Sequence, residues 1–152
     1  MRLFKNNKGF SLVELVIVIA IMAILVAILA PQFLSYIEKS RRGKDADTVG
    51  VVHRAISAAM ADTDIDDRPP GGYGISTGTK FLSDVNDGSM PNFANELAVS
   101  IGASDLTVFE SSAFTSNAYK GAKIQIEIDP TRQHVRVTVL SNLPDADDII
   151  VE

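Results

Sequence analysis

From position 10 to position 30 the chain reads FSLVELVIVIAIMAILVAILA, a run of 21 residues whose only charge is Glu14. At the α-helical rise these residues make a rod about 31 Å long, close to the ~30 Å hydrocarbon core of a bilayer. Pro31 closes the run. Beyond it the pattern turns amphipathic, with Phe33, Leu34 and Ile37, then Ala46, Val49, Val52, Ile56, Ala59 and Met60 at helical spacing. Together the two stretches predict one long helix. Pro31 removes a backbone donor and is a kink position, and Gly43 and Gly50 weaken the helix by roughly 1 kcal/mol each relative to Ala. Its end is expected near Asp62, because DTDIDDRPPGGYG collects acids, two prolines and three glycines.

The C-terminal part changes period. Residues 122 to 129 alternate Ala122, Ile124, Ile126 and Ile128 against Lys123, Gln125, Glu127 and Asp129, and 134 to 140 alternate Val135, Val137 and Val139 against His134, Arg136 and Thr138. DPTRQ between them reads as a turn. Leu106 to Glu110 and Ile149 to Val151 are candidates for the adjoining strands. Short helical turns are expected around Phe81 to Val85, and Pro91 is placed as the first helical residue of a segment reaching Ser100. One apolar face per strand fits an antiparallel sheet laid over the upper half of the long helix, with its other face in water. The fold class is therefore α+β.

Composition narrows the picture. The 152 residues allow one domain, with the apolar run set apart from its core. Formal charge is −5, and loss of residues 1–9 with Arg2, Lys5 and Lys8 would leave 11 bases against 19 acids, or −8. An acidic product argues against direct nucleic-acid binding, which rests on phosphate neutralisation. There is no cysteine, so neither a disulfide framework nor a thiolate zinc site can form. The three bases ahead of the run favour a cytoplasmic N-terminus and an exported remainder. A second basic cluster, Lys39, Arg41, Arg42 and Lys44, opposes that orientation but stands among Glu38, Asp45 and Asp47 as a solvated helix face.

Glu14 separates the readings of the apolar run. A secretory signal has an apolar region of only ~7–15 residues with small residues before its cut, and a cut after Ala30 would meet Pro31. A plain anchor explains the length but not a carboxylate near the membrane interface, where an acid implies a functional partner. Lys8, Gly9, Phe10, Ser11, Leu12, Val13, Glu14 and Leu15 resemble the class III signal of type IV pilins, [KR]-G-F-[ST]-L-[IVL]-E. Pro31 also falls where many pilins have a proline. The resemblance covers about the first 35 residues.

That resemblance implies a pilin fold, a long N-terminal hydrophobic and amphipathic helix packed against a C-terminal antiparallel sheet. Its implied segments are a leader at 1–9, a transmembrane and filament-core half of the helix at 10–31, an amphipathic half at 32–62 and a globular head at 63–152. Gly9 would end the leader removed by a prepilin peptidase, Phe10 would become the N-methylated N-terminus, and Glu14 would pair with the α-amino group of Phe10 during assembly. The helix near Pro31 would be able to loosen within a filament. Implied partners are copies of the same chain, the peptidase and methyltransferase, an assembly platform protein with its ATPases, and the cytoplasmic membrane before export to a surface pilus. Many Gram-negative pilins close a C-terminal loop with a disulfide, so this cysteine-free chain is more similar to clostridial-type pilins.

Other chemistry is thin. Asp62, Asp64 and Asp66 occupy positions 1, 3 and 5 of an EF-hand-like loop, but position 6 is Asp67 rather than Gly and position 12 is Tyr73 rather than Glu. A solvated acidic loop is the better reading; calcium is the one cofactor it leaves open, and Asp145, Asp147 and Asp148 are treated alike. GGYGISTGTK lacks the phosphate-loop spacing, and no G-x-S-x-G or paired-acid motif points to an enzyme. His53 and His134 are read as packing or surface residues. Ser111, Ser112, Thr115 and Ser116 are candidate O-glycosylation positions in an exposed polar loop. The leading function is a structural pilus subunit for adhesion or twitching; alternatives are a type II secretion pseudopilin, a competence pilin, or an anchored binding module that never polymerises.

Overall fold

The computed structural model describes residues 9–62, 80–86, 91–129, 134–144 and 146–152. Helix α1 runs Leu12–Ala61 and contains Pro31. Its end one residue before Asp62 agrees with the stop expected there. Contacts divide the chain into two units, one reaching to Ile37 and one from Glu38 to Glu152.

In the first unit the helix has no packed face. From Leu12 to Leu34 every large hydrophobic side chain is exposed, and this part of α1 is long and apolar enough to cross a membrane.

The second unit builds its own core. Strand β1 (Lys80–Phe81) leads into a 3-10 turn (Leu82–Asn86), followed by α2 (Pro91–Ser100), α3 (Leu106–Ser112), β2 (Ile124–Asp129), β3 (His134–Val139) and β4 (Ile149–Val151). The strands form an antiparallel sheet in the order β1-β2-β3-β4. Ile124 pairs with Val139, Ile126 with Val137 and Ile128 with Val135, so the two alternating patterns present their apolar residues on one face. Those six side chains are buried with Val49, Val52, Ile56 and Ala59 of α1 and with Phe93 and Leu97 of α2. The α+β architecture, one long helix and a C-terminal four-stranded antiparallel sheet, is consistent with the pilin fold.

Local chemistry sets the element ends. Pro91 opens α2 where its missing N–H costs nothing. At the other end the amide of Gly102 donates to Val99 O at 3.0 Å and that of Ala103 to Ala98 O at 2.8 Å. This Schellman closure needs a left-handed residue, and Gly102 supplies it at φ 72°. Leu106 to Glu110, expected as a strand, is instead the body of α3. Asp105 caps it, its Oδ1 accepting from Thr107 N at 2.8 Å and Val108 N at 3.1 Å, and a cap of this kind selects helix over strand. The strand beside β2 is the short β1. Ala46, expected in the buried stripe of α1, is exposed, and its neighbour Asp45 is buried instead.

Candidate functional site

The helix begins at Leu12 because Ser11 and Glu14 satisfy its first amides. Ser11 N donates to Glu14 Oε2 at 2.8 Å, and Ser11 Oγ accepts from Val13 N at 3.3 Å. This is a capping box, in which an S-x-x-E spacing returns a carboxylate to the backbone of the cap residue. The positive end of the helix dipole favours the same carboxylate. Just before it lie Gly9, with open space where a Cβ would stand, and Phe10, 92% exposed. The arrangement presents an exposed chain segment ahead of a single acceptor, whose backbone donor an ammonium group could replace. Further along, Pro31 leaves the carbonyl of Ala27 without its i+4 amide.

Of the EF-hand-like acidic positions, Asp62 alone is among the described residues. Asp62 follows the end of α1 and donates its amide to Ala58 O at 3.1 Å, whereas Asp64, Asp66, Asp67 and Tyr73 lie outside the described residues, as does Asp145. Among the described residues no group of three His, Asp or Glu could hold a metal. Asp148 accepts from Ser141 N at 2.8 Å, and the carbonyl of Asp147 accepts from the Tyr119 hydroxyl. His53 packs in the head, its Nε2 3.1 Å from Val135 O. His134 is in β3, and its side chain lies outside the described residues.

Sequence reasoning missed three carboxylates that position the head. Asp45 is fully buried and accepts from Thr115 N at 3.0 Å, Thr115 Oγ1 at 3.3 Å, Ser116 N at 3.0 Å and the Ser116 hydroxyl. Glu38 Oε1 accepts from Asn117 N at 2.7 Å, and Glu110 Oε1 from Ile124 N at 2.8 Å. Asp45 was detectable. It stands four residues before Val49, in step with Val52, Ile56 and Ala59, and an acid in register with a buried stripe must find donors. Ser116, a candidate sugar acceptor, is thereby buried against Asp45. Ser111 and Ser112 donate to Val108 O at 2.8 and 2.9 Å but remain exposed.

These hydrogen bonds hold the segment around 115–121 without a covalent link. Asn142 N donates to Ala118 O at 2.7 Å and Asn142 Nδ2 to Lys120 O at 3.1 Å, so the C-terminal segment is tied to the same turn. Burial raises the Tyr119 pKa above its usual 10.0; Asp147, Asp148 and Asp45 push the same way and Arg42 opposes them. On the outer sheet face the Arg136 guanidinium is held charged by Glu152 and Glu127.

Comparison with known proteins bears on the N-terminal segment first. Residues 4–30 match the family described as the prokaryotic N-terminal methylation motif. The chain is 32% identical over 106 residues to a type IV major fimbrial protein FimA of Dichelobacter nodosus, covering 67% of this chain and 61% of the relative. It is 39% identical over 61 residues to the prepilin peptidase-dependent protein A of Clostridium perfringens, 38% of this chain and 43% of the relative. Against the type IV major alpha-pilin of Moraxella bovis it is 43% identical over 54 residues, 36% of this chain and 34% of the relative. The chain thus spans between about a third and three fifths of these relatives' lengths. No solved structure matches. The chain therefore carries an N-terminal methylation motif and is similar, over part of their length, to type IV fimbrial proteins and pilins.

Proposed function

We propose that this chain is a prepilin and the structural subunit of a type IV pilus. A prepilin peptidase cuts after Gly9, the new N-terminus at Phe10 is methylated, and residues 10–31 hold the subunit in the cytoplasmic membrane until an assembly platform and its ATPases extract it. Copies then stack by a screw operation into a surface filament for adhesion or twitching motility. Such a head-to-tail contact is heterologous and does not close into a ring.

The observation that supports this reading is Glu14, one carboxylate at the capped start of an otherwise uncharged and unpacked helix. A bare anchor has no use for it. In a filament it exchanges the Ser11 amide for the α-ammonium of a Phe10, its own or a neighbour's. Two charges that are each costly in apolar surroundings then offset one another. N-terminal mass analysis of sheared surface fibres tests the reading: a methylated Phe10 start is expected, and a start at Met1 or at Pro31 overturns it.

A further inference from the structure

Most charges of the head are engaged within it. Glu127 and Glu152 flank Arg136 on the outer sheet face, and Lys123 Nζ stands 4.6 Å from the centre of the Phe81 ring. Asp45 and Glu110 are buried against donors, Glu38 accepts from Asn117 N, and Asp105 caps α3. Asp84 accepts from Phe81 N and Glu96 from the Ser100 hydroxyl. Two exposed patches stand apart from this pattern. On α1, Arg41 and Lys44 join no ion pair among the described residues, and Val51, 37% exposed, follows on the same helix face. Ahead of β4, the Asp147 carboxylate has no hydrogen bond or ion pair among the described residues, and Asp148 accepts from Ser141 N. Ile150, 57% exposed, lies two residues on. Both patches belong to the second unit.

We propose that Arg41, Lys44 and Val51 of one copy dock against Asp147, Asp148 and Ile150 of the next copy in a filament. The proposal rests on the pilus reading above and names the head surfaces that would meet. Copies that each carry −8 once residues 1–9 are lost repel one another. A stable contact between them must therefore set unlike patches face to face, which also fixes their register. Two bases against two acids do this, and Val51 against Ile150 adds apolar area beside the charges. Because the two surfaces differ, a copy docked through one patch keeps the other free for a further neighbour. That is the heterologous, non-closing contact a filament requires.

The chain has no cysteine, so introduced thiols report a contact without background. Fibres of the full chain carrying Lys44→Cys with Asp147→Cys are treated with a short bis-maleimide. The expected product on a denaturing gel is a ladder of multimers, with position 44 of each copy joined to position 147 of the next. Either single variant should give no multimers. Dimers from a single variant overturn the proposal, as do monomers alone from the double variant, whether cross-linked within one chain or not at all. Charge supplies a second measurement. Lys44→Glu should cut fibre number several-fold, Lys44→Arg should not, and Lys44→Glu with Asp147→Lys should restore it. Leader cleavage should persist in all three. Normal fibre numbers from Lys44→Glu, or no recovery in the double variant, overturn the docking and leave the pilus reading standing. Absence of fibres from the unmodified chain removes the pilus reading, and the proposal with it.

Discussion

The apolar half of α1 and the head handle hydrophobic surface in opposite ways. From Leu12 to Leu34 the large side chains are about half exposed or more, and none is buried. In the head, Ile124, Ile126, Val137, Leu97 and Phe93 are essentially inaccessible, and both buried carboxylates among the described residues, Asp45 and Glu110, meet donors. The head satisfies its apolar surface within one chain. The helix cannot, since so large a contiguous apolar surface is not stable in water and calls for a bilayer or other copies of itself. Substitutions in the helix should therefore show in assembly and leave the head folded, whereas substitutions in the head should show in its stability and leave leader processing intact.

The largest effect is expected at Glu14. Glu14→Ala removes the one charge in the apolar run, so membrane insertion becomes easier, and cleavage after Gly9 should continue because the basic leader and the glycine are untouched. On the proposed assembly, the α-ammonium of Phe10 would then enter an apolar core uncompensated, at a cost on the order of several kcal/mol per added subunit. Processed protein should accumulate in the membrane with few or no fibres by electron microscopy. Normal fibre numbers with the Ala variant as sole subunit would falsify the assembly role of Glu14.

Phe93→Ala should do the reverse. It empties a fully buried site and should destabilise the head by about 3–5 kcal/mol. Chemical unfolding of the full chain in detergent measures the loss. The same preparation should still be cut after Gly9, so a processing defect in this variant would mean that the two regions are not independent.

How much of this was legible in the sequence differs between the regions for a physical reason. The helix is governed by residues close in sequence, so the apolar run, the position of Glu14 and the stop near Asp62 could all be read directly. In the head, alternation placed the facing isoleucines and valines of β2 and β3, Ile149 to Val151 was named as a candidate adjoining strand, and Pro91 marked the start of α2. A five-residue stretch such as Leu106 to Glu110 is too short for its period to separate strand from helix. The deciding signal was Asp105, a cap residue ahead of an apolar position. Donors for Asp45, Glu38 and Glu110 come from 14 to 79 residues away. No local pattern carries such a distance, although the register of Asp45 with the buried stripe announced that a donor was needed.

Asp45 gives the next test. Asp45→Ala removes the acceptor of the Thr115 amide and of the buried Ser116 amide, and bonds to a charged acceptor contribute about 1.5–3 kcal/mol each, though not additively. A loss of about 3 kcal/mol is expected, with Asp45→Asn losing less because its amide oxygen still accepts. Hydrogen exchange should localise the opening to the segment around 115–121. Unchanged protection there would show that the turn is held by the Asn142 bonds rather than by Asp45.

The smallest expected effect lies at Tyr119, and it depends on pH. Its hydroxyl donates to the Asp147 carbonyl, and burial, the largest cause, together with Asp147, Asp148 and Asp45 raises its pKa above 10.0 while Arg42 lowers it. The folded state therefore holds the phenolic proton more tightly than the unfolded chain does. Above pH 10 the unfolded chain binds fewer protons, so unfolding stability falls as pH rises and the loss is complete once the raised value is passed. Below the unfolded pKa the contribution is fully present. Tyr119→Phe should cost about 1 kcal/mol near neutrality, from the lost hydrogen bond, and should flatten the alkaline decline that the wild-type head shows. Melting curves of the full chain in detergent at a series of alkaline pH values measure both. Lysine deprotonation contributes to any decline in the same range, so the informative quantity is the difference between the two proteins. That difference should shrink with rising pH as the wild type loses its advantage. A constant offset at all pH values would show that Tyr119 titrates as an ordinary exposed phenol, with its contact to Asp147 serving packing alone.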